Sequence, residues 1–161
     1  MTKEILQIGV PDHNGHIFTK EAVQKMLDDI AEINPLLGEL GHVSESSVSL
    51  KNVSHEIKNV RIAGNHLVCE VTILDTPAGS LVSKIDPSDF RLEPRCIGYP
   101  NMNGEVTITK MVSIDIVTGP GSSLEKTLGH KLYKKYVEGT VSLEDFKNEH
   151  RGELKGHEFG F

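Results

Sequence analysis

The middle of the chain consists of short runs in which β-branched and other apolar residues alternate with polar ones. This period of two places every second side chain on the same face of a β-strand. The runs are 53–62, 67–74, 90–98 and 106–117. Turn-forming residues at 63–65 and 101–104 predict that two hairpins connect them in pairs. A core of antiparallel strands is the arrangement that this pattern most strongly requires.

Helical patterns lie on both sides of the strand-rich region. Thr19 is a candidate N-cap for a helix to about residue 33, whose apolar residues recur at three-and-four spacing. The residues of that stripe are Val23, Met26, Leu27 and Ile30. A short strand is predicted for 5–10 and a short helix for 76–85. These elements together predict the α+β class.

A second helical region follows the last strand. Ser122 begins a capping box, and Leu124, Leu128 and Leu132 recur every four residues after it. Lys131, Lys134 and Lys135 cluster on the same predicted helix, either as a solvated face or as a docking site for an acidic surface. Ser142 is expected to cap one more short helix.

The length of 161 residues fits one domain with a substantial core. Residues 1–150 are expected to form this domain, and 151–161 a flexible C-terminal tail rich in Gly and charge. Aromatic residues are only 5% of the chain, so the core must be aliphatic. The predicted core residues are Val23, Ile30, Leu67, Val71, Ile73, Val112 and Ile114.

Charge and composition exclude several classes of partner. The 17 Lys and Arg against 23 Asp and Glu give a net charge of −6, which disfavours nucleic acid and anionic membranes. The sequence contains no apolar stretch of membrane-spanning length. Cys69 and Cys96 lack the spacing of a zinc site, so neither a metal nor another cofactor is expected. Cys69 alternates with apolar strand residues and is predicted to be buried.

Two of the eight histidines lie where neighbouring residues could orient them. His42 follows Gly41, and His55 lies at the start of the first predicted long strand. A histidine next to a hydroxyl or thiol can activate a nucleophile, whereas a partly exposed polar strand position is the simpler reading. Phosphate-binding loops, nucleophile elbows and metalloprotease motifs do not occur in the sequence.

The order of several short segments resembles that of the prohead maturation proteases of large tailed bacteriophages, which are related to the herpesvirus assemblins. The segments are Asn14-Gly15, Leu37-Gly38-Glu39-Leu40-Gly41-His42, Gly64-Asn65, Arg95-Cys96-Ile97-Gly98 and Asp115-Ile116-Val117-Thr118-Gly119-Pro120. The resemblance covers residues 9–123 and implies a closed or nearly closed antiparallel β-barrel with flanking helices. It also implies that His42 stands where the family has its catalytic base.

The nucleophile is where the sequence departs from this family. The family strand carries Ser-Ser-Arg-Gly, and the corresponding residues here are Glu93-Pro94-Arg95-Cys96. Cys96 is a possible substitute, but strand alternation places it with Phe90, Leu92 and Pro94 on an apolar face. A bulge at Pro94 could reverse that orientation. Catalytic roles for His42, Cys96 and Asp115 therefore apply only if the protein is active.

Glu93 and Arg95 are two residues apart on one strand face, so an ion pair near His42 is expected. That pair could stabilise a dead catalytic centre or form a ligand-binding carboxylate pocket, to which His55 could contribute. Asp115 is expected either to face solvent or to orient a histidine.

Three functions remain open from the sequence. The first is a non-catalytic virion protein, a pseudoenzyme on the prohead-protease fold that serves in head assembly, decoration or another structural role. The second is an active endopeptidase that processes scaffold and capsid proteins, and the third is an inhibitor of a host defence enzyme. Capsid or other virion proteins are the expected partners, a homo-oligomer is conceivable from the resemblance, and the expected location is the virion or the host cytoplasm.

Overall fold

The computed structural model of the chain describes residues 1–12, 14–41, 43 and 45–118. Its elements are β1 (Thr2–Gln7), α1 (Lys20–Ala31), β2 (Leu36–Glu39), β3 (Val53–Ala63), β4 (His66–Ile73), α2 (Pro77–Val82), β5 (Phe90–Pro100) and β6 (Val106–Thr118). Four strands form one sheet in the order β1-β4-β3-β2, and β5 pairs with β6 in a second sheet. Neighbours within each sheet are antiparallel.

The four long strands and both hairpin turns lie where the alternation predicts them. Outside these runs, two strands differ from the prediction. β1 occupies residues 2–7 rather than 5–10, because the chain turns at Gly9, whose φ is +78°, a conformation that glycine adopts readily. β2 was not predicted as a strand, since four residues interrupted by a glycine are too short to show alternation.

Helix α1 begins as the sequence predicts. The hydroxyl of Thr19 accepts a hydrogen bond from the backbone N–H of Ala22, which satisfies one free donor of the first turn. Val23 and Met26 are fully buried, whereas Leu27 and Ile30 are only half-buried. α1 ends at Ala31, two residues before the predicted end.

A few contacts join the two sheets where β2 meets β6. Leu40 and Ile116 form an isolated parallel bridge, and the Gly41 N–H donates to the Ile116 carbonyl at 2.8 Å. On the opposite side, the Lys3 ammonium donates to the Phe90 carbonyl of β5 at 2.8 Å. The α+β class is confirmed, but the strands described here stay in two sheets, so the closed barrel is not confirmed.

One hydrophobic core extends over both sheets and both helices. Five predicted core residues are buried: Val23, Leu67, Val71, Val112 and Ile114. Ile30 and Ile73 are only partly buried at the edge of this core. Cys69 is fully buried, as predicted.

The predicted helices after Ser122 and Ser142, and the predicted tail 151–161, lie outside the described residues. In the part of the chain that is described, no helix has the length and apolar character to cross a membrane. The same residues contain no group of three or more His, Cys, Asp or Glu side chains that could hold a metal ion.

Candidate functional site

A buried cluster of three charged side chains lies where β2, β5 and β6 meet. The Arg95 Nη2 donates to the Glu39 carboxylate at 2.8 Å and to Asp115 Oδ1 at 3.3 Å. Arg95 Nε lies 3.0 Å from Asp115 Oδ2, an ion contact in which the N–H is not aimed for a hydrogen bond. All three side chains are at most 5% exposed. Two carboxylates and one guanidinium therefore share a space closed to solvent.

The strand register brings these side chains together. Arg95 lies opposite Ser113, and Asp115 lies two residues farther along β6, opposite Glu93. Arg95 and Asp115 are thus diagonal neighbours, a separation that the long arginine side chain can cross. Between Arg95 and Cys96 the register shifts, and Val112 is the extra residue of the resulting bulge in β6. Glu39 reaches the cluster from β2. The backbone N–H of Glu39 donates to Asp115 Oδ1 at 3.0 Å.

Burial dominates the electrostatics of Asp115. It raises the pKa of this carboxyl to about 7, against the lowering effects of Arg95 and of the Glu39 amide. The sequence-based expectation that Asp115 faces solvent is wrong, because its side chain is covered from the β2 side. The structure places Arg95, rather than a described histidine, against its carboxylate.

The cluster also fixes the backbone of the segment that follows β2. Arg95 Nη1 donates to the carbonyls of Glu45 and Ser47, at 3.2 and 3.3 Å. The Glu39 carboxylate accepts the Ser49 N–H at 3.2 Å. Residues 45–47 are exposed, so buried charges hold a surface segment by its backbone.

The predicted ion pair between Glu93 and Arg95 is wrong, because each side chain has a different partner. Arg95 pairs with Glu39 and Asp115, while Glu93 has Arg91 within 3.4 Å. Arg95 is drawn away because Glu39 offers a second, fully buried carboxylate that sequence spacing does not connect with it. Glu93 and Pro94 instead line a small cavity of about 150 Å³ between β1 and β5, together with Leu6, Phe18 and Leu92.

The Cys96 thiol lies in the core. Its side chain is 1% exposed, and burial raises its pKa well above the usual range. A thiol in this environment stays protonated and is a poor nucleophile. The prediction that strand alternation places Cys96 with the apolar residues is confirmed.

His55 is fully buried and makes two hydrogen bonds. Its Nδ1 lies 2.7 Å from the Ser54 hydroxyl, and its Nε2 lies 2.8 Å from the Ile114 carbonyl. Burial lowers the pKa of His55 to about 4, although the carbonyl contact opposes this. The expectation of a partly exposed strand position is therefore wrong. Ser54 and His55 resemble a nucleophile and its base in distance, but both are 0% exposed.

Two local features explain how adjacent residues of a strand come into contact. Gly38 pairs with His55 and Glu39 with Val53, so Ser54 is an extra residue in β3 and forms a bulge. Gly38 also allows the close approach of β2, because a Cβ at this position would lie 2.2 Å from both His55 Nε2 and the Ile114 oxygen.

His42 lies outside the described residues, and its predicted role as a base remains a prediction. The residues before it are fixed by the Leu40–Ile116 bridge and the Gly41 hydrogen bond. Sequence reasoning missed Glu39 and Ser54 as members of the buried polar groups. For Glu39, its position in the segment 38–41 between two glycines was a signal of a special site. The sequence around Ser54 contained no such signal.

The similarity of this chain to known proteins lies in its fold. No protein-family model matches the chain, and no curated protein matches it. The solved structure of the bacteriophage T4 capsid assembly protease, gp21, is similar with a TM-score of 0.60 and 19% identity. The match covers 74% of this chain and 82% of that one. At this identity the similarity concerns the fold alone, and the chain therefore has the fold of a phage capsid assembly protease.

Proposed function

We propose that this chain is a non-catalytic bacteriophage virion protein on a prohead-protease fold, acting in head assembly, in decoration or as another structural component. The proposal rests on the lack of an accessible nucleophile among the residues of β5 that follow Leu92. By the sequence resemblance, Glu93 and Pro94 stand where the family has Ser-Ser, and the nearby thiol of Cys96 is buried in the core. Acyl transfer needs an accessible nucleophile beside a base.

The buried ion cluster supports the same conclusion. Asp115 belongs to a segment that resembles the family's, yet its carboxylate is engaged by Arg95 and by the Glu39 amide. Through these contacts the carboxylate joins β2, β5 and β6. A structural role for these three charged residues therefore needs no catalysis.

The hydroxyl–imidazole pair of Ser54 and His55 does not offer an alternative active centre. Both side chains are fully buried, and Nε2 of the ring is occupied by the Ile114 carbonyl. A peptide carbonyl has no access to the Ser54 hydroxyl without opening β2 from β3. The pair is better explained as a satisfied polar contact in the core.

Co-expression with the scaffold and capsid proteins of the encoding phage tests the proposal. Mass spectrometry is expected to find these proteins uncleaved in the presence of the wild type and of His42→Ala alike. Pro94→Ser should also leave them intact, because a hydroxyl alone lacks an oriented base and oxyanion donors. Cleavage by the wild type that disappears in His42→Ala would establish the endopeptidase function instead.

Mass spectrometry of purified phage particles tests the structural role. The chain is expected in mature particles, intact and at a constant copy number. Absence from particles, combined with binding to a host enzyme, would replace the structural role by that of an inhibitor.

A further inference from the structure

The buried ion cluster holds the surface segment 45–49 through three hydrogen bonds to the backbone of that segment. Arg95 Nη1 donates to two of its carbonyls, at 3.2 and 3.3 Å. The Glu39 carboxylate accepts the Ser49 N–H at 3.2 Å. All three distances are at or just beyond the long end of the usual range for N–H···O bonds. The segment is therefore attached to the molecule by a few long bonds from charged groups.

The cluster contains two carboxylates but only one guanidinium. Arg95 is the one cation within ion-pair distance of Glu39 or Asp115 among the residues that the structure describes. If both acids were ionised, a net charge of −1 would be enclosed among side chains that are at most 5% exposed. Two carboxylates that share a buried site tend to keep one proton between them, because burial and mutual repulsion oppose the second ionisation. The closed cluster therefore favours a bound proton that the same acids would lose in water.

Asp115 is the acid that keeps this proton, since burial raises its pKa to about 7. The charged and titratable groups on the elements around it are Arg95 and Glu93 of β5, Glu39 of β2, Glu45 of the segment and His55 of β3. Arg95 opposes the shift, whereas both carboxylates that act on Asp115 reinforce it. Glu45 is exposed to solvent, and His55 is neutral near pH 7 because burial lowers its pKa to about 4.

Opening of the segment changes the surroundings of this proton. Arg95 and Glu39 then lose their partners in the segment, and water replaces them. A hydrated Asp115 has an ordinary pKa near 4 and releases its proton at neutral pH. Because the closed form binds the proton more tightly than the open form, a rising pH shifts the equilibrium towards the open form.

We propose that the segment 45–49 is a proton-controlled strap, which the buried cluster holds closed in mild acid and releases more often as the pH rises to neutrality. Leu50 directly follows the strap and is 77% exposed. Release therefore alters an apolar part of the surface that a partner could contact. The device is built into the fold and is independent of whether the chain is a protease or a virion protein.

Amide hydrogen exchange of the full-length protein, measured by NMR, tests the strap at the Ser49 N–H. After correction for the intrinsic pH dependence of exchange, its protection should fall roughly 50-fold between pH 5 and pH 7. This factor is that of one acid whose pKa is about 4 in the open form and about 7 in the closed form.

The Gly41 N–H, which donates to the Ile116 carbonyl, is the internal reference. It lies outside the strap, and we expect it to exchange when the whole chain unfolds. Its protection should change by only about twofold over the same range, because unfolding also exposes His55, whose lowered pKa acts in the opposite direction. This comparison needs no variant.

Two substitutions identify the group that controls the strap. Asp115→Asn retains an oxygen acceptor for the Glu39 N–H but cannot ionise, so the change at Ser49 should shrink to less than about twofold. Asp29→Asn is the matched control, because Asp29 also accepts an N–H of β6, that of Met111 at 2.9 Å, but lies outside the cluster. This control should retain the full change. Circular dichroism and thermal unfolding check that both variants remain folded.

Three results would overturn the proposal. Equal protection of the Ser49 N–H at both pH values would show that no proton controls the segment. A change that persists in Asp115→Asn would assign the control to another group. A fall of the same size at Gly41 would show that β2 opens together with the segment, which would then not be a separate strap.

Discussion

The hydrogen bonds of His55 permit only one tautomer of the neutral ring. The Ile114 carbonyl can only accept, so Nε2 carries the proton and donates it. Nδ1 is then the acceptor for the Ser54 hydroxyl. Protonation of Nδ1 would reverse that hydrogen bond and place a charge in the core, and burial of this charge lowers the pKa of His55 to about 4.

This shift predicts a pH-dependent contribution to stability. An unfolded histidine takes up its proton near pH 6.5, but folded His55 does so only near pH 4. The contribution is therefore complete above pH 6.5 and is lost as the pH falls towards 4, by about 3 kcal/mol. The free energy of unfolding can be measured with urea at several pH values. The difference in this free energy between wild type and His55→Gln should narrow by this amount as the pH falls from 6.5 towards 4.

The raised pKa of Asp115 acts in the opposite direction. The folded state retains a proton up to about pH 7 that the unfolded carboxyl loses near pH 4, so this contribution decreases as the pH rises between the two. A pH dependence that is unchanged by His55→Gln would contradict the assignment to His55.

Arg95 is the positive centre of a cluster whose other two members are acids. Arg95→Met would leave two buried carboxylates without their counter-ion, and we expect a loss of about 3–5 kcal/mol. Arg61→Met is a suitable control, since Arg61 pairs with Glu70 at a partly exposed position and should change stability by less than about 1 kcal/mol. Chemical unfolding measures both variants, and equal small losses would show that the cluster contributes little.

At the level of elements, the sequence predicts the long strands and α1 well because each carries a repeated signal. Alternation over eight or more residues in β3 and β6 outweighs local exceptions, and Thr19 marks the start of α1. The bulges at Ser54 and Val112 interrupt that alternation without changing the composition of the strand. The site depends on these bulges, which is why the partners of Arg95 and His55 could not be derived from spacing alone.

β2 is short but determines how close the two sheets approach. Gly38→Ala would place a Cβ 2.2 Å from His55 Nε2 and from a backbone oxygen, which cannot move away cheaply. We expect a loss of about 3 kcal/mol from the forced shift of β2. Gly9→Ala is the matched control: it has positive φ but no atom within 4 Å of its Cβ, and should lose only about 1 kcal/mol. Thermal unfolding compares the two, and similar losses would contradict the close-approach argument.

The whole molecule combines two separately hydrogen-bonded sheets with one continuous core. Few backbone contacts join the sheets, but buried residues of β4, β6 and α1 belong to a single cluster. Residues packed in one cluster can open together as one cooperative unit. The two sheets should therefore unfold as one unit rather than separate first.

The two native cysteines can show whether the two sheets unfold together, because Cys69 lies in one sheet and Cys96 in the other. Both thiols are buried and have raised pKa values, that of Cys69 to about 12, so they react only when the structure opens. If the molecule opens as one unit, both label with the same protection and the same dependence on urea. Mass spectrometry of peptides after timed alkylation separates the two sites. Labelling of Cys96 at much lower urea than Cys69 would show that the β5–β6 hairpin opens by itself, and the shared core would then not couple the sheets.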